Sequence, residues 1–531
     1  MAKRPSWLQW LTIGIFTLVV AGTMLWWVFG AELLLRIFEG RFHPALDGLV
    51  LQHRSLDPLV RTIGFYYDLA VTLLSRVVLL FLGTVCMLWL GWPQLKKRLH
   101  SFAAEPVSPE QLAVFRLLVF GVLLIYPNYT AIFRMSALPG GLLVPPPGWS
   151  ALLSWLPPSL LLAKISGSFF VLGCLGALIG YHTRWMALLA TLSGLYFLGI
   201  PQFYGKINHY HHLLWFSALS AFSPVSDRLS FDAWRNPHQI IRPAIAYART
   251  LQLFVALMAL IYFFAGWWKI IGGGMAWVWG EGAWLHLEAQ AFRLGVEAPT
   301  WLADSAFLKP FLGLATLVLE LGWGYAVLSR RFRPWVLGAA LFFHGSIYWL
   351  MQINFWQLPI FYLVFLPWGE LLKQTNIKVQ RLLPDSQKAL RWVGGVLIGV
   401  NGLCGLAHFD SWPFAVYPSF GNPPEKRVKY YYLVGSDAKG IVNINLASDP
   451  QLRLWLPKTY LQGLHGQLLS ASDSVLNSKL ELLLPLYLGA LKQDHNEFTI
   501  VSRVVDLETK QILELKILGH TSVFKASELA R

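Results

Sequence analysis

The feature that most constrains this fold is a series of long windows almost free of charge. A bilayer-spanning helix needs about 20 apolar residues. Windows near that length recur at roughly 8–30, 66–92, 111–133, 159–181, 185–203, 208–223, 250–271, 310–328, 335–352, 355–371 and 392–409. The expected fold is therefore an all-α polytopic membrane protein of about 11 transmembrane helices. The stretches 208–223 and 355–371 are the shortest. Composition agrees: charged residues are 13% of the chain, against about 25% in soluble domains. The 25 Trp, 19 Tyr and 34 Phe suit a protein that collects aromatics at the two membrane interfaces.

The formal charge of +15 comes from 43 Lys+Arg against 28 Asp+Glu. The excess sits in short loops between apolar windows, so it reports topology rather than affinity for nucleic acid. With the N-terminus inside, the inner loops hold 18 Lys+Arg and the outer loops about eight. That orientation puts Lys206 near the outer leaflet and the tail outside, and the expected location is a bacterial inner membrane. The run Leu8 to Gly30 is too long for a signal-peptide core and reads as an uncleaved first helix. Cys86, Cys174 and Cys404 all fall in apolar windows, so neither a disulfide framework nor a thiolate metal site is indicated.

Three regions are expected: 1–107, a two-helix membrane segment; 108–410, the main transmembrane domain; and 411–531, an extramembrane α+β domain. In the last, Ser474 to Lys492 reads as a helix. Phe498 to Val505 and Gln511 to Leu518 read as strands, the second alternating Leu513, Leu515 and Ile517 with Glu514 and Lys516.

Chemistry concentrates in Lys206-Ile207-Asn208-His209-Tyr210-His211-His212, between two apolar runs. Ionisable groups at membrane depth are costly and mark functional sites by default. A helix starting near Asn208 would put His209 and His212 on one face. Three readings of the run stay open. Lys206 could snorkel to the interface with the histidines as anchors. Lys206 could act as a base in a poorly hydrated pocket, with a histidine orienting the substrate. The histidines could ligate a metal or haem, although no carboxylate lies nearby in sequence. Elsewhere Arg76, Arg116, Lys164, Lys269, Glu320 and His344 lie in apolar windows. Glu320, near mid-helix, should pair with an arginine or lysine across the bundle.

Several blocks occur in one order: Phe115-Arg116; Gly180-Tyr181-His182-Thr183-Arg184; the Lys206–His212 run; Leu229–Trp234; Tyr262–Ile270; Glu320; and Phe342–His344. Over roughly residues 108–410 the chain resembles the horizontally transferred transmembrane (HTTM) domain family, related to vitamin K-dependent gamma-glutamyl carboxylase. In that enzyme a lysine followed six residues later by a histidine lies at the active site, and Lys206 and His212 match the spacing. Where the carboxylase run has paired asparagines, this chain has Tyr210 and His211.

The resemblance implies a base, Lys206, acting on a reduced quinone of the vitamin K or menaquinone type. O2 and CO2 would be co-substrates of a quinol-linked oxygenase or carboxylase. The catalytic candidates are then Lys206, His209 and His212. Tyr210, His211, Lys269, His344 and Arg116 would line the substrate or quinone pocket, and no metal is called for. The expected partners are the bilayer, a quinone and a protein substrate on the outer side. The competing reading is a non-catalytic membrane scaffold or lipid-binding protein that uses its outer tail. A transporter is weaker still, since no inverted repeat or broken helix pair is evident.

Overall fold

The computed structural model describes residues 91–236, 244–274, 276–279, 282–294, 296–372, 387–415, 427–437, 440–446, 449–457, 473–491, 497–506 and 512–522, with scattered positions elsewhere. The expected spans 8–30 and 66–92 lie outside the described residues, apart from isolated positions. The principal helices are α1 Pro109–Ile125, α2 Tyr129–Ser136, α3 Leu160–Ile179, α4 Thr183–Phe197, α5 His212–Phe222, α6 Ala244–Gly273, α7 Leu308–Val327, α8 Arg333–Met351, α9 Lys388–Ala407 and, in the tail, α10 Asp473–Leu491.

Among the described residues six helices are long and apolar enough to cross a membrane, or seven if α1 and α2, bent by 53°, form one span. Their outward faces stay greasy. Phe169 and Leu172 on α3, Val318 on α7, and Phe342 and Trp349 on α8 are all exposed. Exposed apolar surface on that scale requires a lipid solvent or a partner. The chain is thus a multi-pass membrane protein.

Local signals set the helix ends. Ser108 accepts from Gln111 N and Gln111 returns the bond, a capping box with Pro109 in the first turn. Ser159 caps α3. Gly180 ends α3 in the left-handed region at φ +75. A Cβ there would lie 2.2 Å from Arg116 Nη1 and 2.3 Å from Ser230 Cβ, so both space and backbone angle require glycine. Asp232 then caps α4, accepting from His182 N at 2.9 Å, Thr183 N at 3.1 Å and Thr183 Oγ1 at 3.1 Å.

Two of the expected spans differ from expectation. The stretch 208–223 forms α5, which begins only at His212, so His209 and His212 do not share a helical face. Its 11 residues cover about 16 Å at 1.5 Å per residue, half the hydrocarbon thickness. Nine of them are buried. The stretch 355–371 is not a spanning α-helix. It is a 3-10 segment, Pro359–Phe365, followed by a single turn, Trp368–Leu371. Phe361 packs among Phe115, Phe216 and Phe254, so one face of the 3-10 segment is held in the protein interior, while Leu363 and Leu366 are exposed.

In the tail, β1 Arg427–Asp437, β2 Gly440–Asn445, β3 Glu497–Asp506 and β4 Ile512–Ser522 form an antiparallel sheet in the order β2-β1-β3-β4. The helix and two strands expected there are present as α10, β3 and β4. The tail touches the bundle at the Lys206 end. Arg134 donates to Leu454 O and Trp455 O. Gln467 Nε2 donates to Leu142 O at 2.9 Å and Tyr204 O at 3.0 Å.

Candidate functional site

The site grows from the loop that joins α4 to α5. A 3-10 turn, Ile200–Phe203, closes α4 and buries Gln202. Its amide organises the loop: Oε1 accepts from Asn208 N at 2.6 Å, and Nε2 donates to Tyr210 Oη at 2.5 Å and Leu198 O at 3.2 Å. The chain therefore dips into the bundle rather than over it. Lys206 and His209 are half-buried, whereas Asn208, Tyr210, His211 and His212 are buried. Lys206 and His209 line a hollow of about 480 Å³, together with Val144–Pro147, Gln202, Gly205, Ile207 and Asp410.

His209 also lines a second space. This cavity, of about 120 Å³, is bounded by α6, α7, α8 and the segment before the 3-10 traverse. A cavity of about 150 Å³ accepts benzene, so this one is close to the size of a single ring. Its wall is mostly apolar or aromatic, with a few ionisable groups. Lys269 Nζ donates to both carboxylate oxygens of Glu320 at 2.7 and 2.8 Å and lies 5.5 Å from the Trp277 ring centre. The Tyr262 hydroxyl bonds His344 Nε2 at 2.7 Å and also the Tyr362 hydroxyl. Gln357 links the loop to the cavity: its Nε2 donates to His209 O at 3.3 Å, and its carbonyl accepts from His212 Nε2 at 3.2 Å.

Three buried polar atoms of the cavity lining have no hydrogen-bond partner among the described residues: Trp277 Nε1, His344 Nδ1 and Gln357 Oε1. Buried polar groups without partners are rare, and here three belong to residues that line one space.

The expected site residues separate into groups. Lys206 lines the hollow, Lys269 and His344 line the cavity, and His209 lines both. His212 touches neither, but bonds the Gln357 carbonyl. Two of the expected pocket residues brace the loop: Tyr210 donates to Leu198 O, and His211 donates to Asn208 O with its ring against Trp215. Arg116 is displaced from its expected place. It lies at the opposite end of the bundle, donating to Leu229 O beside Gly180 and Ser230. Three of the blocks that carry the resemblance, around Arg116, Gly180 and Asp232, thus form one structural joint away from the cavity. No group of three or more His, Cys, Asp or Glu side chains able to hold a metal occurs among the described residues.

His286 and Gln357 were not singled out by sequence, and Tyr262 entered only as the first residue of the Tyr262–Ile270 block. The one usable signal was Glu320, whose burial demanded a cation across the bundle. That cation is Lys269.

Apolar helices enclosing a mostly apolar cavity with a few ionisable groups define the class: a multi-pass membrane protein with an internal ionisable site. Residues 104–367 match the family model of the HTTM domain, and the chain carries that domain. The match spans the loop and the residues that line the cavity. No curated protein and no solved structure matches the chain.

Proposed function

We propose that this HTTM-domain protein is a membrane enzyme acting on a reduced quinone of the vitamin K or menaquinone type, with Lys206 as the base. The observation that carries the reading is the shared wall: His209 borders both the hollow of Lys206 and the aromatic cavity of Lys269, Glu320, Tyr262 and His344. The cavity, at about 120 Å³, is near the size of one ring, so it would take the hydroxyl-bearing ring of a naphthoquinol, and the fused second ring would need the space beside it. The two hydroxyls suit a wall that offers the unpartnered donor Trp277 Nε1 and the unpartnered acceptor Gln357 Oε1.

As a free amine, Lys206 takes the proton of a quinol hydroxyl. The O–H bond breaks, its electron pair stays on oxygen, and the amine becomes an ammonium. His209 and Gln357 hold the reacting end of the ring. In a carboxylase-like reaction O2 and CO2 are the co-substrates and a carboxyl-bearing protein is the acceptor. The excess of Lys and Arg in the loops at the opposite end supports an orientation with the Lys206 end and the tail outside. The tail from 411 onward is then an external α+β domain positioned to present the acceptor.

The test is oxygen uptake by the detergent-purified chain supplied with reduced menaquinone. Quinol-dependent uptake is expected in the wild type. Loss of about 100-fold or more is expected in Lys206→Ala and Lys206→Arg, the usual scale for a general base, with thermal midpoints unchanged. Uptake retained in Lys206→Arg overturns the base role, because a guanidinium does not deprotonate in a protein. Absence of uptake in a folded wild type leaves the scaffold or lipid-binding reading in its place.

A further inference from the structure

At the end of the bundle opposite Lys206, a hollow of about 770 Å³ is lined by Lys97, Arg98, Glu105, Tyr325, Arg330 and Arg331 among others. Loops on the inner side of a membrane protein are basic as a matter of topology. That rule says nothing about convergence, and here four cations from two separate segments meet on one concavity. Residues 91–103 are helical and bring Lys97 and Arg98. The turn between α7 and α8 brings Arg330 and Arg331.

The hollow is held in shape. Arg98 Nη1 donates to Tyr325 O at 3.3 Å, and its guanidinium stacks 4.0 Å from the Tyr325 ring centre. Gln252 Nε2 donates to Ala103 O at 3.2 Å, fixing the end of the 91–103 helix to α6. The single lining carboxylate is already engaged: Glu105 accepts two bonds from Arg333 at 2.8 Å and lies 3.2 Å from Arg330. Among the described residues no carboxylate pairs with Lys97, Arg98 or Arg331. The hollow therefore presents three uncompensated cations.

Its rim is apolar on the lipid side. Phe332 lies 5.4 Å from the Arg98 guanidinium and 6.0 Å from that of Arg331. It is exposed, as is Trp335 on the first turn of α8. A ligand that satisfies both surfaces has an anionic head and acyl chains. Two arginines and a lysine suit a phosphate diester, since a guanidinium fork matches its oxygens. Basic pockets between spanning helices bind such headgroups.

We infer that this hollow is a binding site for the headgroup of an anionic phospholipid, with Lys97, Arg98 and Arg331 on the phosphate and Phe332 and Trp335 against the chains. The inference does not depend on the quinol reading, and Lys206→Ala is expected to bind the lipid unchanged.

The experiment titrates the full chain in neutral detergent with phosphatidylglycerol or phosphatidylcholine and reads bound lipid by native mass spectrometry. Retention of phosphatidylglycerol over phosphatidylcholine is expected. Arg98→Gln/Arg331→Gln is expected to weaken phosphatidylglycerol about 25-fold, near fivefold per cation. The control pair Arg184→Gln/Arg235→Gln removes two basic side chains from the same end outside the hollow and is expected to change little. If Arg98→Gln impairs folding through loss of its bond to Tyr325, Lys97→Gln/Arg331→Gln takes its place. Equal binding of the two lipids, or equal loss in the control pair, overturns the site. Displacement of phosphatidylglycerol by millimolar inorganic phosphate overturns the lipid assignment, because it marks a site for small anions.

Discussion

At the scale of single residues the decisive pair is Lys269 and Glu320. Both are buried and their contact is bidentate. Removing one partner leaves the other as an uncompensated charge, at a cost of about 3–5 kcal/mol. Lys269→Met is therefore expected to lower the thermal midpoint sharply in detergent, and Lys269→Met/Glu320→Leu to recover most of the loss. A double variant as unstable as the single would show that the pair matters for its contacts with the cavity rather than for its charge balance. Glu105 offers a test by pH. Burial alone would raise its carboxyl, but the hydrogen bonds and charges of Arg333 and Arg330 hold it below the ordinary 4.5. A depressed carboxylate contributes stability that is present above its unfolded value and lost as pH falls through the folded one. The wild type is expected to be more stable than Glu105→Gln at pH 7, and the gap to close below about pH 4.5. A gap that persists in acid would refute the ionic origin.

At the scale of elements, small residues decide how closely helices approach. A Cβ on Gly173 of α3 would lie 2.5 Å from Ala190 N and 2.8 Å from Met186 O on α4. Backbone cannot give way as a side chain can, so Gly173→Leu must part the two helices. The expected destabilisation is at least about 1–3 kcal/mol. Gly345→Leu on α8, with nothing within 4 Å of its Cβ, is expected to be near neutral. Thermal unfolding of the two variants side by side checks this, and equal midpoints would remove the close-packing argument.

The long helices were legible because an apolar window of spanning length has few other uses. The stretch 355–371 has the same composition but folds as a 3-10 traverse. Composition reports what a segment is dissolved in, and Phe361 is dissolved in protein. Strand β1 went unread because Tyr430, Tyr431, Tyr432, Leu433 and Val434 form a continuous run without the period of two that marked β4. The Lys206–His212 run was legible as ionisable groups in an apolar setting. The cavity was not, because Tyr262, Trp277, Glu320, His344 and Gln357 come from separate segments and meet only when the bundle forms.

At the scale of the molecule, the tail covers the Lys206 end. Gln467 bridges Leu142 and Tyr204, and a Cβ on Gly463 would lie 3.3 Å from Lys206 Cβ. Access to the hollow should then depend on this contact. In a Lys206→Cys background, Gln467→Ala is expected to speed labelling by a water-soluble maleimide roughly ten- to thirtyfold, for two hydrogen bonds of about 1 kcal/mol each. Unchanged rates would mean the tail rests on the loop without restricting it.

The brevity of α5 has a consequence for biogenesis. A segment that reaches only halfway through the hydrocarbon, and a neighbouring traverse with 3-10 rather than α-helical bonding, have no stable station in lipid by themselves. Both can settle only into a groove that other helices have already made. The bundle must therefore assemble in order, with α1, α4 and α6 in place before the Lys206–His212 loop can be drawn down between them.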